Sequence, residues 1–319
     1  MTLLTDKDYQ VLSEPLKELE NCTICPRNCG TNRYSDQLGY CNSDASFNIA
    51  SICIHKGEEP VISGDKGICN VFFSHCNLHC VYCQNYQISN NFNNHYQNKL
   101  ELSVVIEKIV SILNTGVNIV GFVSPSHYIP HIKVIINTLR KIDKNPVFVF
   151  NTNAYDKQTT IKELEGYVDV YLPDYKYISN KDSKELSEAY DYPDIALNAI
   201  KEMYYQKGST LIINSDNYVV SGLIIRHLVL PGYIDKSIAL LKSIAEEIST
   251  SVHISLMSQY HPVINTKEHL LLKNKLMKED YLKVKKEFEK LGFRKGWVQD
   301  FESPQNYLPD FNQPNPFSS

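Results

Sequence analysis

Residues 72–89 read FFSHCNLHCVYCQNYQIS, and the spacing of Cys76, Cys80 and Cys83 within them decides how the rest of the chain is read. The pattern is CxxxCxxC with an aromatic residue, Tyr82, before the last cysteine. Three thiolates can hold three irons of a four-iron cubane, which leaves the fourth iron open to a small molecule. Two blander readings compete. The three positions could form one face of a buried helix, since cysteine is often a small core residue. Tetrahedral zinc could instead take the three with His75 or His79 as a fourth ligand. The β-rich run before Cys76 and the polar Asn77 and His79 favour a loop at a strand end, and therefore the cluster.

Upstream of this loop, Cys22, Cys25, Cys29 and Cys41 form a second set, and Cys53 and Cys69 complete the nine; none follows Cys83. An odd number of closely spaced cysteines behind an N-terminus, MTLLTDKDYQ, that has no signal-peptide pattern favours metal or cluster ligation in a reducing compartment over a disulfide scaffold. Residues 20–70 are rich in Cys, Gly, Asn and Ser and lack sustained periodicity. They read as a loop-dominated module that needs a metal to hold it. Four ligands suffice for either a structural zinc knuckle or an auxiliary iron–sulfur cluster; the low apolar content tips the reading slightly toward a structural metal.

Downstream, strand and helix patterns alternate. NVFFSHC, NIVGFVSP, VFVFNTN, VDVYLPDYK, LIIRHLVLPG and VHISLMSQY read as strands, and Leu102–Gly116 opens the series of amphipathic helices between them. Six such units predict an α/β fold with parallel strands, whose C-terminal ends would carry the site. LIINSDNYVVSG looks like a hairpin insertion around Ser215, Asp216 and Asn217. The boundaries are a Cys-rich module over 1–70, a main domain over 71–295 and an irregular tail over 296–319 lying on the domain surface. With 319 residues, 43% hydrophobic composition and a formal charge of −4, the chain can bury a substantial core and has no overall basic field for nucleic acid. No run reaches the roughly 18 apolar residues of a membrane span, so a cytoplasmic protein is expected.

The cluster loop, CTICPRNCGTNRYSDQLGYC, GEEPVISG, VSPSHYIP, NTNAY, VDVYLPDYKY, RHLVLPG and LMSQYHP together resemble the radical SAM superfamily, and within it the PflX-type homologues of pyruvate formate-lyase activating enzyme. The resemblance implies a partial (β/α)6 barrel. It also implies a four-iron four-sulfur cluster on Cys76, Cys80 and Cys83 that cleaves S-adenosylmethionine (SAM) reductively. At the third and fourth strand ends, Asn151-Thr152-Asn153 and Asp174-Tyr175-Lys176 correspond to activase motifs. Lys176 would hold the SAM carboxylate and Asp174 a ribose hydroxyl or a cation; Tyr82, Asn151 and Asn153 would join them. The second strand departs from the family pattern, with Ser124-Pro125-Ser126-His127 in place of a Gly-Gly-Glu segment, so Ser124 and Ser126 are candidate replacements and His127 a candidate substrate contact. Arg226 and His261 match positions flanking SAM, and Glu58 and Glu59 fall beside the barrel opening.

The implied reaction is hydrogen abstraction from a C–H bond, with flavodoxin or ferredoxin as electron donor and the glycine loop of a glycyl-radical protein as one substrate. A second reading is an epimerase or other modifying enzyme acting on a peptide, sugar or small metabolite, with Cys53, Cys69 or Tyr128 as hydrogen donor. From another class comes a zinc-stabilised binding protein without catalysis.

Overall fold

The computed structural model describes residues 5–92, 98–301, 308–313 and 315–317. Ten strands are found among them: β1 Phe47–His55, β2 Ile68–Phe73, β3 Lys99–Leu100, β4 Ile119–Val123, β5 Val147–Thr152, β6 Val170–Pro173, β7 Ile212–Ile213, β8 Val219–Leu228, β9 His253–Met257 and β10 Gly296–Val298. They join in one sheet of order β10-β9-β8-β6-β5-β4-β2-β1-β3, with β7 folded back on β8. From β2 to β10 along this order every pairing is parallel. The six strands expected from the alternation are β2, β4, β5, β6, β8 and β9, and the fold is the partial (β/α)6 barrel.

The strands explain their own burial. All residues of β2, β4 and β6 are buried, as expected of parallel strands covered on both faces. Side chains alternate between two cores. Val71, Val120, Phe148, Tyr171 and Leu223 pack outward against the helices, whereas Ile68, Ile119, Val149, Val170, Leu172 and Ile224 form an apolar floor inside the barrel. On helix Leu102–Leu113, Val105, Ile106, Ile109 and Val110 make the stripe that meets the outer core. Two residues further along the same interior faces come Asn70, Gly121, Asn151, Asp174 and Arg226. One period-2 step thus replaces an apolar layer by a polar one.

Three expectations change. Residues 47–55 lie in the nominal Cys-rich module but form β1, antiparallel to β2, because FNIASICIH alternates well enough to pair. The loop-dominated reading therefore fails over that stretch. The hairpin appears, yet its return strand is the start of β8 itself: Val219 and Ser221 pair with Ile213 and Ile212. Residues 296–298, expected to be irregular, add β10 parallel to β9, while Phe311 and Phe317 of the tail pack on Phe72. Residues 302–307 of that tail lie outside the described residues.

β10 depends on one glycine. Gly296 has φ of +106°, and a Cβ there would collide with the backbone of Ile254 in β9. Gly296→Ala should cost about 1–3 kcal/mol through strain and lost pairing. Chemical denaturation measures it, and an unchanged midpoint would mean that β10 contributes nothing to stability.

Candidate functional site

The loop after β2 carries Cys76, Cys80 and Cys83 around one side of a cavity at the strand ends. His75 turns the chain out of the strand with φ of +68°, and its N–H donates to Ile88 O at 2.6 Å. Asn91 then pins the first cysteine: its Oδ1 accepts from Cys76 N at 3.0 Å and its Nδ2 donates to Cys76 O at 2.9 Å. Each sulfur has a donor. Asn153 Nδ2 lies 3.4 Å from Cys76 Sγ, Ser187 Oγ 3.0 Å from Cys80 Sγ and Ser89 Oγ 3.2 Å from Cys83 Sγ. Behind Ser187 stands the hydroxyl of Tyr177 at 2.5 Å. Burial pushes the Cys76 thiol up to about 12 and that of Cys83 to about 11. A cation that binds thiolates offsets this cost.

Opposite the cysteines, the strand ends supply polar groups. Ser124 with φ of +52°, Asn151, Asn153, Asp174, Lys176 and Arg226 all line the cavity, as does Tyr82 beneath the loop. Lys176 Nζ donates to Asp174 Oδ2 at 2.7 Å, and Arg226 lies 2.8 Å from Glu58 Oε2 and 3.1 Å from Asp174 Oδ1. Burial opposes the Lys176 charge, but Asp174, Tyr82 and Cys80 outweigh it and raise its pKa. Burial likewise opposes ionisation of Asp174, yet Lys176 and Arg226 hold its carboxyl below the usual range. Asp174 Oδ1 accepts no hydrogen bond among the described residues. The hydroxyl of Tyr192 fixes these strand ends, accepting from Lys176 N at 3.0 Å and lying 2.8 and 2.9 Å from Asp174 O and Asn153 O.

Other candidates stand elsewhere. Ser126 is buried with its hydroxyl 3.1 Å from Thr152 Oγ1, so it stands behind a residue of the cavity wall and does not line the cavity itself. His261 is half-buried beyond β9 and does not reach the cavity; Gln259 and Met257 occupy that wall. His127 turns away from the cavity, toward Ser74 O at 3.0 Å. Cys53, Cys69 and Tyr128, the hydrogen donors suggested for an epimerase, are buried and are not among the residues that line the cavity. His75 and His79, the fourth ligands a zinc site would need, turn to Asn90 O and Glu188 Oε2. Ser187 and Tyr192 escaped sequence reasoning because no motif links them to the loop they support, whereas Ser89 and Gln259 lie within quoted motifs, LMSQYHP for Gln259, but were not singled out.

The second cysteine set lies around a small space of its own. Cys22, Cys25, Cys29 and Cys41 line it together with Arg33 and His127. Gly39 leaves room for Cys29, whose sulfur a Cβ at that position would meet. Arg33 is 1% exposed and donates to the carbonyls of Ser43, Asp44 and His127. Burial opposes its charge; Cys41, Tyr128 and Cys22 are the groups that support it.

The family model of the radical SAM superfamily matches residues 70–218. The uncharacterized protein MJ0674 of Methanocaldococcus jannaschii is 30% identical over 272 residues, covering 83% of this chain and 73% of that protein. The chain belongs to the radical SAM superfamily. Among solved structures, it is similar to Streptococcus suis SuiB bound to precursor peptide SuiA, with 14% identity, a TM-score of 0.49, and coverage of 71% of this chain and 47% of that one. The FeFe-hydrogenase maturase HydG from Carboxydothermus hydrogenoformans has 12% identity and a TM-score of 0.49, with coverage of 70% and 50%. This chain thus spans about half the length of those two.

A radical SAM enzyme uses a four-iron four-sulfur cluster and SAM, and the donor set fits: three thiols on one wall, each with a hydrogen-bond donor, face two cationic side chains. A donor to a ligating sulfur stabilises the more negative, reduced cluster. Ser187→Ala should therefore lower the cluster potential by roughly 20–60 mV, the equivalent of about 0.5–1.5 kcal/mol for one electron. Spectroelectrochemical titration would read the shift, and an unmoved potential would remove Ser187 from the cluster's surroundings.

Proposed function

We propose that this radical SAM enzyme abstracts hydrogen from a C–H bond of a peptide or protein segment, the glycine loop of a glycyl-radical protein being one such substrate. The convergence of three donor-supported cysteines and the Asp174–Lys176–Arg226 charge group on one cavity carries the reading. When bound, the cluster supplies the electron that cleaves SAM to methionine and a 5′-deoxyadenosyl radical. The chain's own residues bind and orient. Lys176 presents a point charge to the methionine carboxylate, and Asp174 Oδ1, which accepts no hydrogen bond among the described residues, offers an acceptor to a ribose hydroxyl. Asn151 and Ser124 offer further polar contacts on the wall toward the same cofactor. Flavodoxin or ferredoxin fits the need for a one-electron donor, and nine cysteines without a disulfide fit a cytoplasmic setting. The structure has no helix long and apolar enough to cross a membrane among the described residues.

Replacing Cys76, Cys80 or Cys83 by Ala should abolish 5′-deoxyadenosine formation, because each change removes one of three protein ligands; full production by any variant would sink the reading. Lys176→Met keeps the apolar stem and deletes the ammonium. A charge-assisted hydrogen bond of about 1.5–3 kcal/mol predicts a roughly ten- to hundredfold loss of SAM affinity with the cluster intact. The change in the reduced cluster's electron paramagnetic resonance signal on SAM titration measures it, and an unaltered affinity would leave Lys176 a strand-end charge.

We further propose that Cys22, Cys25, Cys29 and Cys41 hold a second metal centre, zinc or iron–sulfur. The buried Arg33 guanidinium, supported by thiols and carbonyls, suits the negative charge of a four-thiolate site. Replacing Cys22 and Cys25 together should lower thermal stability and metal content. Loss of zinc identifies a structural knuckle, a fall of about four irons an auxiliary cluster, and unchanged metal content would refute the site.

A further inference from the structure

A second, more open cavity adjoins the first and shares Gly57, Glu58, Arg226, Met257 and Gln259 with it. Its remaining wall comes from the β1–β2 connection and from β9 and β10, where the open barrel's last strand faces the chain segment leaving β1. Charge there is lopsided. Glu58, Glu59 and Asp300 carry three carboxyls against the single guanidinium of Arg226, which is already engaged by Glu58 and Asp174 at 2.8 and 3.1 Å.

Glu59 is the informative side chain. It is only 7% exposed, it lines this cavity and not the first, and its Oε2 has no hydrogen-bond partner among the described residues. Its nearest cation, Arg226, stands 4.0 Å from the other oxygen. Burial above all raises its pKa, against the pull of Arg226. A buried carboxyl with an unused oxygen costs free energy that a ligand bearing a positive charge would recover. Trp297 supplies the half-buried indole of the same cavity, a ring whose face attracts ammonium and guanidinium groups.

We propose that this side cavity binds a basic group of the substrate, a guanidinium or ammonium held by Glu59 against Trp297, so that the rest of the substrate extends through the shared opening toward the cysteine cavity. The inference rests on the reading of the larger cavity as the site of hydrogen abstraction, and it narrows the substrate to a molecule with a cationic side group.

Trp297 is the only tryptophan in the chain, so its fluorescence reports this cavity directly. The cluster-loaded protein is titrated with N-acetyl-arginine methylamide, N-acetyl-lysine methylamide and, as the neutral isostere of the first, N-acetyl-citrulline methylamide. A saturable change with at least one basic probe, about tenfold tighter than with citrulline and about tenfold weaker in Glu59→Gln, supports the proposal. Absence of saturation with both basic probes, equal binding of citrulline, or an unchanged affinity in Glu59→Gln overturns it. Should Glu59→Gln fail to fold by circular dichroism, Asp300→Asn at the exposed rim takes its place, with a two- to threefold weakening expected and none overturning the idea. Because the titration reads no SAM cleavage, its failure is distinguishable from a failure of the radical chemistry.

Discussion

The guanidinium of Arg226 is the contact on which the interior depends. It rises from β8 into the barrel, where Glu58 of the β1–β2 connection and Asp174 at the end of β6 both reach it. A buried cation is tolerated only when its charge is met, and breaking one arm of such a group costs more than the pair contributes net. Glu58 is in turn tied to Asn70 of β2 at 3.0 Å and lies 3.4 Å from Asn151 of β5. One ion group therefore links β2, β5, β6 and β8 and draws the β1–β2 connection across the side of a barrel that hydrogen bonding leaves open. The same linkage builds the wall between the two cavities, so structure and binding surface have one cause.

This arrangement requires room, which Gly121 provides. A side chain at that position of β4 would meet the Asn70 amide, the group that holds Glu58. Below this layer the apolar floor excludes water, and above it the strands end in the residues that face the cysteines. Low polarity beneath and a charged layer above make the electrostatics of the cavity stronger than the same groups would give in water. That contrast is produced by a two-residue step repeated on neighbouring strands.

Much of this was legible in the chain itself. Six near-continuous apolar runs, each followed by polar or turn-forming residues, specify a parallel sheet with its site at one end, and CxxxCxxC directly after the first marks where a cluster would sit. Asn151, Asn153, Asp174, Lys176 and Arg226 were identifiable as strand-end residues. What the pattern concealed has physical reasons. β1 runs antiparallel and is only partly buried, so its alternation was lost among loop residues. β10 has three residues and depends on a glycine backbone that no periodicity reveals. Ser126 stands where the family has a different segment and His261 matches a family position by spacing, but the direction of a side chain is set by the local backbone turn, and here that turn sends Ser126 into the Thr152–Asp156 hydrogen-bond group. Ser187 and Tyr192 lie more than one hundred residues from the cysteine loop, and only the packing of the helices after β6 brings them to it.

The N-terminal cysteine segment is bound to the same machinery by side chains whose charge would otherwise be stranded. Arg27 stacks on Tyr40 with its guanidinium carbon 3.7 Å from the ring centre, while Nε donates to Asn77 O at 3.0 Å and Nη1 to Glu188 O at 2.7 Å. Asn77 follows Cys76 directly, and its amide exchanges hydrogen bonds with Asn153 and Tyr155 O. Lys157 and Thr160 reach back from the far side of β5 to the carbonyls of Thr23 and Ile24. Residues 22–41 have few apolar groups with which to fix their own loops, so what orders their cysteines also orders Arg27, and through Asn77 the backbone beside Cys76. A centre held by Cys22, Cys25, Cys29 and Cys41 would then influence the cavity lined by Cys76, Cys80 and Cys83 without touching it, by deciding whether the loop of Cys76 has its support in place.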